Sequence, residues 1–483
     1  MLYINKNKLK SFILAILVIS SFVQVGILWD YQSRRFPFSF ISNVFSSGKI
    51  EDKTDVIEKA RKEVYKPYRL TISNGNETHW LIGEDDKIKY ELFNEVNQYL
   101  KRILSTSEGS SLSENLWPEL VVKKSIMIEF RTGFKTNLLK WFLNIRGASG
   151  ENPNSIQKIL MSPDEDINNN NTIYILSSKG LYKYVIPFNK NGILKREYSN
   201  IINNLEKNTR IVQYKIFKEI DPNNVISSKL PFSIPKDTLC IVHGTRYFKY
   251  HTINYYVKTK TADIEEIAIA ILGNEKESFD RYIESNALVF KNINNTYRLY
   301  NDGLLEYKYV PGVEDQEKGD IGEAFEKAYF FINRVKNSFI DADDSLYLKN
   351  IKDDNPNYYE FIFDYKADEL PVYINFDAKG KDKEPLKNAL TIKVDSKRII
   401  ECRWYIINIE ENRTQREYNV YFQDMLDDLS KKYGRQKLGD FNIKNVTRAY
   451  LINDNAFNTF SPVWIIENPN EEYYYVELKE KME

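Results

Sequence analysis

The residues best suited to ligate a metal or attack a substrate are few: His79, His243, His251, Cys240 and Cys402. His243 and His251 stand eight residues apart in a stretch that reads as strand, and an even spacing places both on one face. A zinc site needs three or four ligands. No cysteine or carboxylate pair stands beside them at ligand spacing, so they read as ordinary strand or loop histidines. Cys402 shares a period-two face with Ile400, Trp404 and Ile406, which marks it as a small buried apolar residue. A nucleophilic thiol needs a base or a positive neighbour, and nothing local supplies one. Cys240 is too remote in sequence to be assigned as its disulfide partner. The Asp341-Ala342-Asp343-Asp344 cluster lacks the later Gly and the bidentate Glu of a calcium loop and reads as a solvated acidic loop. The chain has no G-x-S-x-G elbow, P-loop, H-E-x-x-H or C-x-x-C. Asp and Glu are plentiful, so acid–base chemistry by a carboxylate pair stays open.

Composition narrows the classes further. The 483 residues carry 68 Lys plus Arg and 68 Asp plus Glu, a formal charge of zero. A nucleic-acid binder usually shows a basic excess, so no nucleic-acid partner is expected. Two cysteines cannot build a disulfide-dense scaffold. Hydrophobic residues make up 42% and aromatic residues 14%, enough for sizeable cores. The 34 tyrosines fit strands, where tyrosine has high propensity. The length corresponds to roughly three domains at ~150 residues each.

Elements that could hold chemistry in place begin at a membrane. Lys6, Lys8 and Lys10 precede an uncharged run from Ser11 to Trp29, 19 residues, against the ~20 a helix needs to cross the hydrocarbon layer. Trp29 and Tyr31 sit at its far end, where amphipathic rings favour headgroups. A cleaved signal peptide has a shorter apolar core and a small-residue cleavage site. The run instead ends Leu28-Trp29-Asp30-Tyr31-Gln32, so a retained single-pass anchor in the lipid bilayer of the cell membrane is expected. The basic flank places the N-terminus in the cytoplasm and the bulk of the chain outside the cell, although Arg34 and Arg35 weaken the contrast. Gln24, the one strongly polar residue within the run, is either a tolerated residue near the interface or a hydrogen-bonding contact to another membrane helix.

The periodicities after the anchor predict an α+β fold with mainly antiparallel sheets. Residues 1–35 form the tail and anchor, and 36–50 a linker. Residues 51–226 form a first domain, 227–315 a smaller second and 316–483 a third. In the first, two strands flank Asn74-Gly75, a type I′ hairpin signal. A helix follows at Lys87–Leu104, then a Ser-rich loop at Ser105–Ser113. An alternating strand is expected at Ser125–Phe130 and a helix at Thr136–Ile145. Strands near Gln157–Met161, Thr172–Ser177 and Leu181–Pro187 come next, the first two separated by the Asn168–Asn171 loop tip, then a helix at Ile193–Leu205. The second domain reads as a strand at Tyr247–Lys258, a helix at Ile264–Leu272 and three short strands. The last two of these flank Asn301-Asp302-Gly303. The third reads as a helix at Ile321–Val335 and strands at Tyr358–Tyr365, Leu390–Val394 and Arg398–Ile409. A helix at Tyr418–Tyr433 and a C-terminal strand pair complete it.

Three places in this layout carry a resemblance. The first is Leu9-Lys10-Ser11-Phe12-Ile13-Leu14-Ala15-Ile16-Leu17-Val18 with the exit Leu28-Trp29-Asp30-Tyr31-Gln32. The second is Lys124-Ser125-Ile126-Met127-Ile128-Glu129-Phe130, followed by Phe134 and a short helix. The third is Ile443 to Tyr450, then Phe460-Ser461-Pro462-Val463-Trp464. Together they resemble the YycH family, extracytoplasmic regulators of a Gram-positive cell-wall two-component system. Arg131 and Thr132 depart from the commoner family form, which has a Pro-rich or aromatic turn there.

The resemblance implies three extracytoplasmic α+β domains, the last two similar to YycI and related to PepSY modules. It implies no catalysis and no cofactor or metal. The implied partners are a YycI-like membrane protein and the sensor histidine kinase WalK, whose activity the family modulates. It also makes the anchor part of that contact, so Phe12, Leu14, Leu17, Ser20, Ser21, Gln24, Gly26 and Trp29 are its candidate membrane or partner-helix residues. Two other readings stand beside this one: an extracytoplasmic enzyme acting on cell-wall material through Asp and Glu, and a PepSY-like protease inhibitor or chaperone.

Overall fold

The computed structural model describes residues 53–481, except 84–85, 107–108, 146–152, 163–169, 188–191, 209–211, 228–229, 231, 242–246, 258–267, 269–270, 273–277, 311–316, 340–344, 377–387, 439–441, 454–458 and 471. The expected anchor Ser11–Trp29 and its eight candidate residues lie outside the described residues. So do His243, the Asp341–Asp344 cluster and most of the expected helix Ile264–Leu272. Among the described residues, no helix is long and apolar enough to cross a membrane.

The N-terminal part builds an antiparallel sheet of nine strands, as the alternating patterns require. It runs from Ser110–Leu112 at one edge, through Gly180–Pro187, Asn170–Ser177, Ser155–Ser162, Ser125–Lys135, Arg69–Ser73 and His79–Leu81. It ends at Gln213–Ile216 and Leu239–Cys240. Successive side chains leave the Ser125–Lys135 strand on opposite faces. Met127 joins Trp117, Leu120, Leu160, Tyr174 and Ile216 in one buried cluster. Phe130, three residues on, lies among rings, 5.7 Å from Tyr65 and 6.2 Å from Phe93. The helices Lys87–Thr106, Thr136–Leu143 and Ile193–Lys207 begin where the apolar periodicity placed them.

A second sheet has twelve strands. Four consecutive strands, Asp280–Glu284, Ala287–Lys291, Asn295–Tyr300 and Leu304–Tyr309, form a meander that pairs onto Ile399–Tyr405. Leu390–Val394, Tyr359–Ala367 and Leu370–Asn375 continue it, with Ser345–Lys352 on the outer side of Tyr359–Ala367. Leu370–Asn375 then runs parallel to Asn445–Asn453, and Pro462–Glu467 and Tyr473–Glu477 close the sheet. A third sheet sets Tyr247–Tyr256 between Asn408–Asn419 and Thr459–Phe460. Strands from both 227–315 and 316–483 therefore share two sheets, and the sheets do not divide at residue 315.

Several expectations need correction. The Ser-rich stretch contains the short edge strand Ser110–Leu112. The hairpin at Asn74-Gly75 pairs Ser73 with His79, so its loop has five residues rather than two, with Gly75 and Glu77 at positive φ. The strand expected at Arg398–Ile409 breaks after Tyr405, and a separate strand runs from Asn408 to Asn419. Half of that strand is exposed and most of it is polar, so it shows no apolar alternation, and its pairing with Tyr247–Tyr256 defines it. The last helix consequently starts at Phe422, after Asn419 turns the chain by accepting the Tyr421 N–H at 3.0 Å. Asp280–Glu284 is exposed throughout, and it too lacks the apolar signal.

The helix Ile321–Phe339 joins the two large sheets. Asp320 caps it, its Oδ1 accepting the Gly322 and Glu323 N–H groups at 2.8 and 3.1 Å. Its stripe Ile321, Phe325, Ala328, Ile332 and Val335 is buried, as its spacing predicts. Phe325 meets Phe361 of the second sheet at 5.4 Å and Phe142 of the Thr136–Leu143 helix at 5.2 Å. A Cβ at Gly322 would stand 2.5 Å from Cδ1 of Trp141, and 2.6 and 2.8 Å from its Cγ and Cβ. Helix propensity alone makes Gly→Ala favourable by about 1 kcal/mol. Here Gly322→Ala is expected to destabilise by about 1–3 kcal/mol through overpacking, measured as a lower denaturation midpoint of the full chain. A raised midpoint would show that the Trp141 contact is loose.

Candidate functional site

Between the first and second sheets lies a cavity of about 240 Å³ whose walls are largely polar and charged. A register irregularity shapes it. Between Glu129 and Phe134, the Ser125–Lys135 strand advances five residues while its partner advances only two, from Lys158 to Ile156. Such bulges re-aim side chains. Within this one lies Arg131, whose guanidinium carbon sits 4.3 Å from the Tyr68 ring centre and 5.0 Å from that of Tyr347. Its Nη2 donates to the Tyr373 hydroxyl at 3.3 Å. Tyr68 also carries Arg69 over its ring at 4.5 Å, and its hydroxyl lies 2.8 Å from Thr447 Oγ1. Burial pushes the Tyr68 phenol up, but the charges of Arg131 and Arg69 more than offset this and hold it below the ordinary tyrosine value.

A second cation faces the cavity from the other sheet. Lys349 lies 2.7 Å from Asp364 Oδ2 and donates to Asn388 Oδ1 at 3.0 Å. Asp364 is fully buried, and its Oδ1 accepts the Ala389 N–H at 2.9 Å. Burial alone would lower the Lys349 pKa, but Asp364 raises it above the usual lysine value. A third group sits on the first sheet. Lys158 reaches Asp237 at 2.6 Å and Glu129 at 3.5 Å, and Asp237 also accepts from Trp117 Nε1 at 3.0 Å. This arrangement offers positive charge and hydrogen-bond donors to a bound molecule. In the sequence Arg131 stands out only as a departure from the family form, and none of these residues is marked as part of a site. The usable signal was the loss of alternation after Phe130, at Arg131-Thr132-Gly133.

The histidines fall differently. His79 is buried, its Nε2 lying 2.9 and 3.0 Å from the two carboxylate oxygens of Glu219. His251 does meet carboxylates, contrary to the expectation from local spacing. The chain brings Asp368 and Glu411 to it from distant strands, and their oxygens lie 3.2 and 3.5 Å from its Nδ1. Asp368 and Glu369 form a two-residue turn between paired Ala367 and Leu370, both at positive φ. One oxygen of each carboxylate is already held: Asp368 Oδ2 by the His251 N–H at 2.7 Å, and Glu411 Oε1 by the Asp368 N–H at 2.5 Å. These three residues could hold a metal ion, with one ligand atom from each.

Cys240 and Cys402 are free and buried, and burial pushes both thiols up, toward the unreactive protonated form. Removing Lys349 leaves Asp364 as an uncompensated buried charge. Lys349→Met is therefore expected to destabilise by about 3–5 kcal/mol, read by urea denaturation of the full chain. Adding Asp364→Asn should restore most of the loss. A single-variant loss below ~1 kcal/mol would mean that the pair is solvated.

Residues 7–210 match the family model described as the YycH protein N-terminal domain. No curated protein gives a match. Among solved structures, the crystal structure of YycH from Bacillus subtilis aligns over 86% of this chain and 96% of its own, at a TM-score of 0.55 and 14% identity. An uncharacterized protein from Eubacterium rectale aligns over 59% of this chain and 99% of its own, at a TM-score of 0.34 and 15% identity. The first of these shows a shared α+β fold. Residues 7–210 of the chain are thus similar to the N-terminal domain of YycH proteins.

Proposed function

We propose that the chain is a membrane-anchored, non-catalytic regulator that binds and modulates a WalK-like sensor histidine kinase governing the cell wall, together with a YycI-like partner. The observation that carries this reading is the family match, which begins at residue 7 and so takes in the whole apolar run Ser11–Trp29. In this reading the run crosses the membrane once with its N-terminus in the cytoplasm. The rest of the chain stands outside the cell. Phe12, Leu14, Leu17, Ser20, Ser21, Gln24, Gly26 and Trp29 supply the lipid and partner-helix contacts. Small residues there let helix backbones approach closely, and Gln24 supplies a hydrogen bond worth about 1 kcal/mol between helices. The second and third units, 227–315 and 316–483, act as one body because their strands share two sheets.

Regulation of this kind is a linkage effect. The protein shifts the kinase only by binding its two signalling states with different affinity. Couplings between sites are typically 5- to 150-fold, about 1–3 kcal/mol. Deleting the residues before Asp30 while exporting the remainder should abolish the effect on kinase-dependent transcription. A cross-linked pulldown of the intact protein from membranes should bring the kinase and a YycI-like protein with it. Full regulation by the exported, anchorless form would overturn the role of the helix. Capture of a protease in place of the kinase would overturn the reading itself.

A further inference from the structure

The cations lining the cavity between the two large sheets outnumber by one the carboxylates that pair with them, some of which lie behind its walls. Arg69 and Lys158 on the first sheet are matched by Glu129 and Asp237, at 2.6 to 3.5 Å. On the second sheet Lys349 has Asp364 at 2.7 Å, Lys444 has Glu467 at 2.8 Å and Lys352 has Glu360 at 3.7 Å. Arg131 is the cation left over. Among the described residues no carboxylate reaches it within ion-pair distance. Its neighbours are the faces of Tyr68 and Tyr347 and the hydroxyl of Tyr373. Its Nη1 is buried with no hydrogen-bond partner.

That nitrogen is a buried, charged donor without an acceptor. An unsatisfied buried donor, above all a charged one, is costly. The cavity beside it provides room: one water needs only ~10–15 Å³ of such space, and about 240 Å³ is present. The planar guanidinium fork matches the paired oxygens of a carboxylate or phosphate, a geometry that lysine does not offer. The tyrosines on its faces fix the plane of that fork and restrict approach to its edge.

We propose that this cleft binds a small oxyanion, a carboxylate or a phosphate, on Arg131. The site goes beyond regulation through a kinase and does not depend on it. Its walls come from both sheets: Arg131 belongs to the first, whereas Lys349 and Tyr373 belong to the second. An occupant is therefore clasped between them, and its binding free energy adds to the stability of their junction.

The test is calorimetric titration of the full chain in detergent with inorganic phosphate and, separately, acetate, against chloride at matched ionic strength. Saturable binding of one equivalent of either anion is the expected result, and which one binds identifies the oxyanion class. Arg131→Gln should abolish the signal. Arg131→Lys, which keeps the charge but lacks the fork, should weaken it at least tenfold. A thermal midpoint that rises with the bound anion in the wild type should stay flat in both variants. Absence of saturable binding by both anions in the wild type would overturn the proposal, with water as the occupant of the cavity. So would binding that Arg131→Gln leaves unchanged. If Arg131→Gln fails to fold, Arg131→Lys and the wild-type titrations decide the question.

Discussion

A column of aromatic rings is the contact on which the rest of this molecule depends. Tyr65 stacks on Phe142 at 5.2 Å, Phe142 meets Phe325 at 5.2 Å, and Phe325 meets Phe361 at 5.4 Å. These four rings come from a loop, two helices and a strand. They carry the packing from the nine-stranded sheet into the twelve-stranded one without a break. Phe142, Phe325 and Phe361 are at most 1% exposed. Each ring of this size buries roughly 150–250 Å², and the burial is shared by two sheets that no strand pairing connects among the described residues. The two sheets therefore hold one another in register through side chains, and so position the walls of the charged cleft beside them.

That cleft lies where the apolar packing gives way to charge. Buried ion pairs add little stability when compared with apolar residues of equal size, because desolvation offsets their attraction. Their effect is geometric. Asp364 is fixed by Lys349 and by the Ala389 N–H, and Asp237 by Lys158 and Trp117. The charges around Arg131 therefore stand on rigid strands and hydrogen-bonded side chains. Tyr68 links the groups, with arginines over its ring and its hydroxyl against Thr447 near the C-terminus.

Many of the elements that bury an apolar face were legible in the sequence. The helices Lys87–Thr106, Thr136–Leu143 and Ile321–Phe339, and the strands Ser125–Lys135 and Asn170–Ser177, all start within two residues of where their periodicities put them. Ser345–Lys352 and Leu370–Asn375 were missed although they bury apolar residues, whereas two other missed strands have no such face. Asn408–Asn419 and Asp280–Glu284 owe their conformation to a partner strand, and no local pattern records a partner. The site was less legible for the same reason. Arg131 meets Tyr347 and Tyr373, and His251 meets Asp368 and Glu411, only after distant strands have assembled. The local reading of Cys402 as a buried residue needed no distant partner, and it holds.

The small sheet around Tyr247–Tyr256 has a consequence for the chain's synthesis. Asn254 is hydrogen-bonded to Thr459, 205 residues further along. At ~5–20 residues per second, that strand waits on the order of 10–40 s for its last partner to be made. Through that interval a run of aromatic and β-branched residues, Tyr247 to Tyr256, presents an unpaired edge. A chain stopped just short of Thr459 would keep such an edge permanently. Early termination near the C-terminus should thus yield a sticky, aggregation-prone product, and not a slightly shortened regulator.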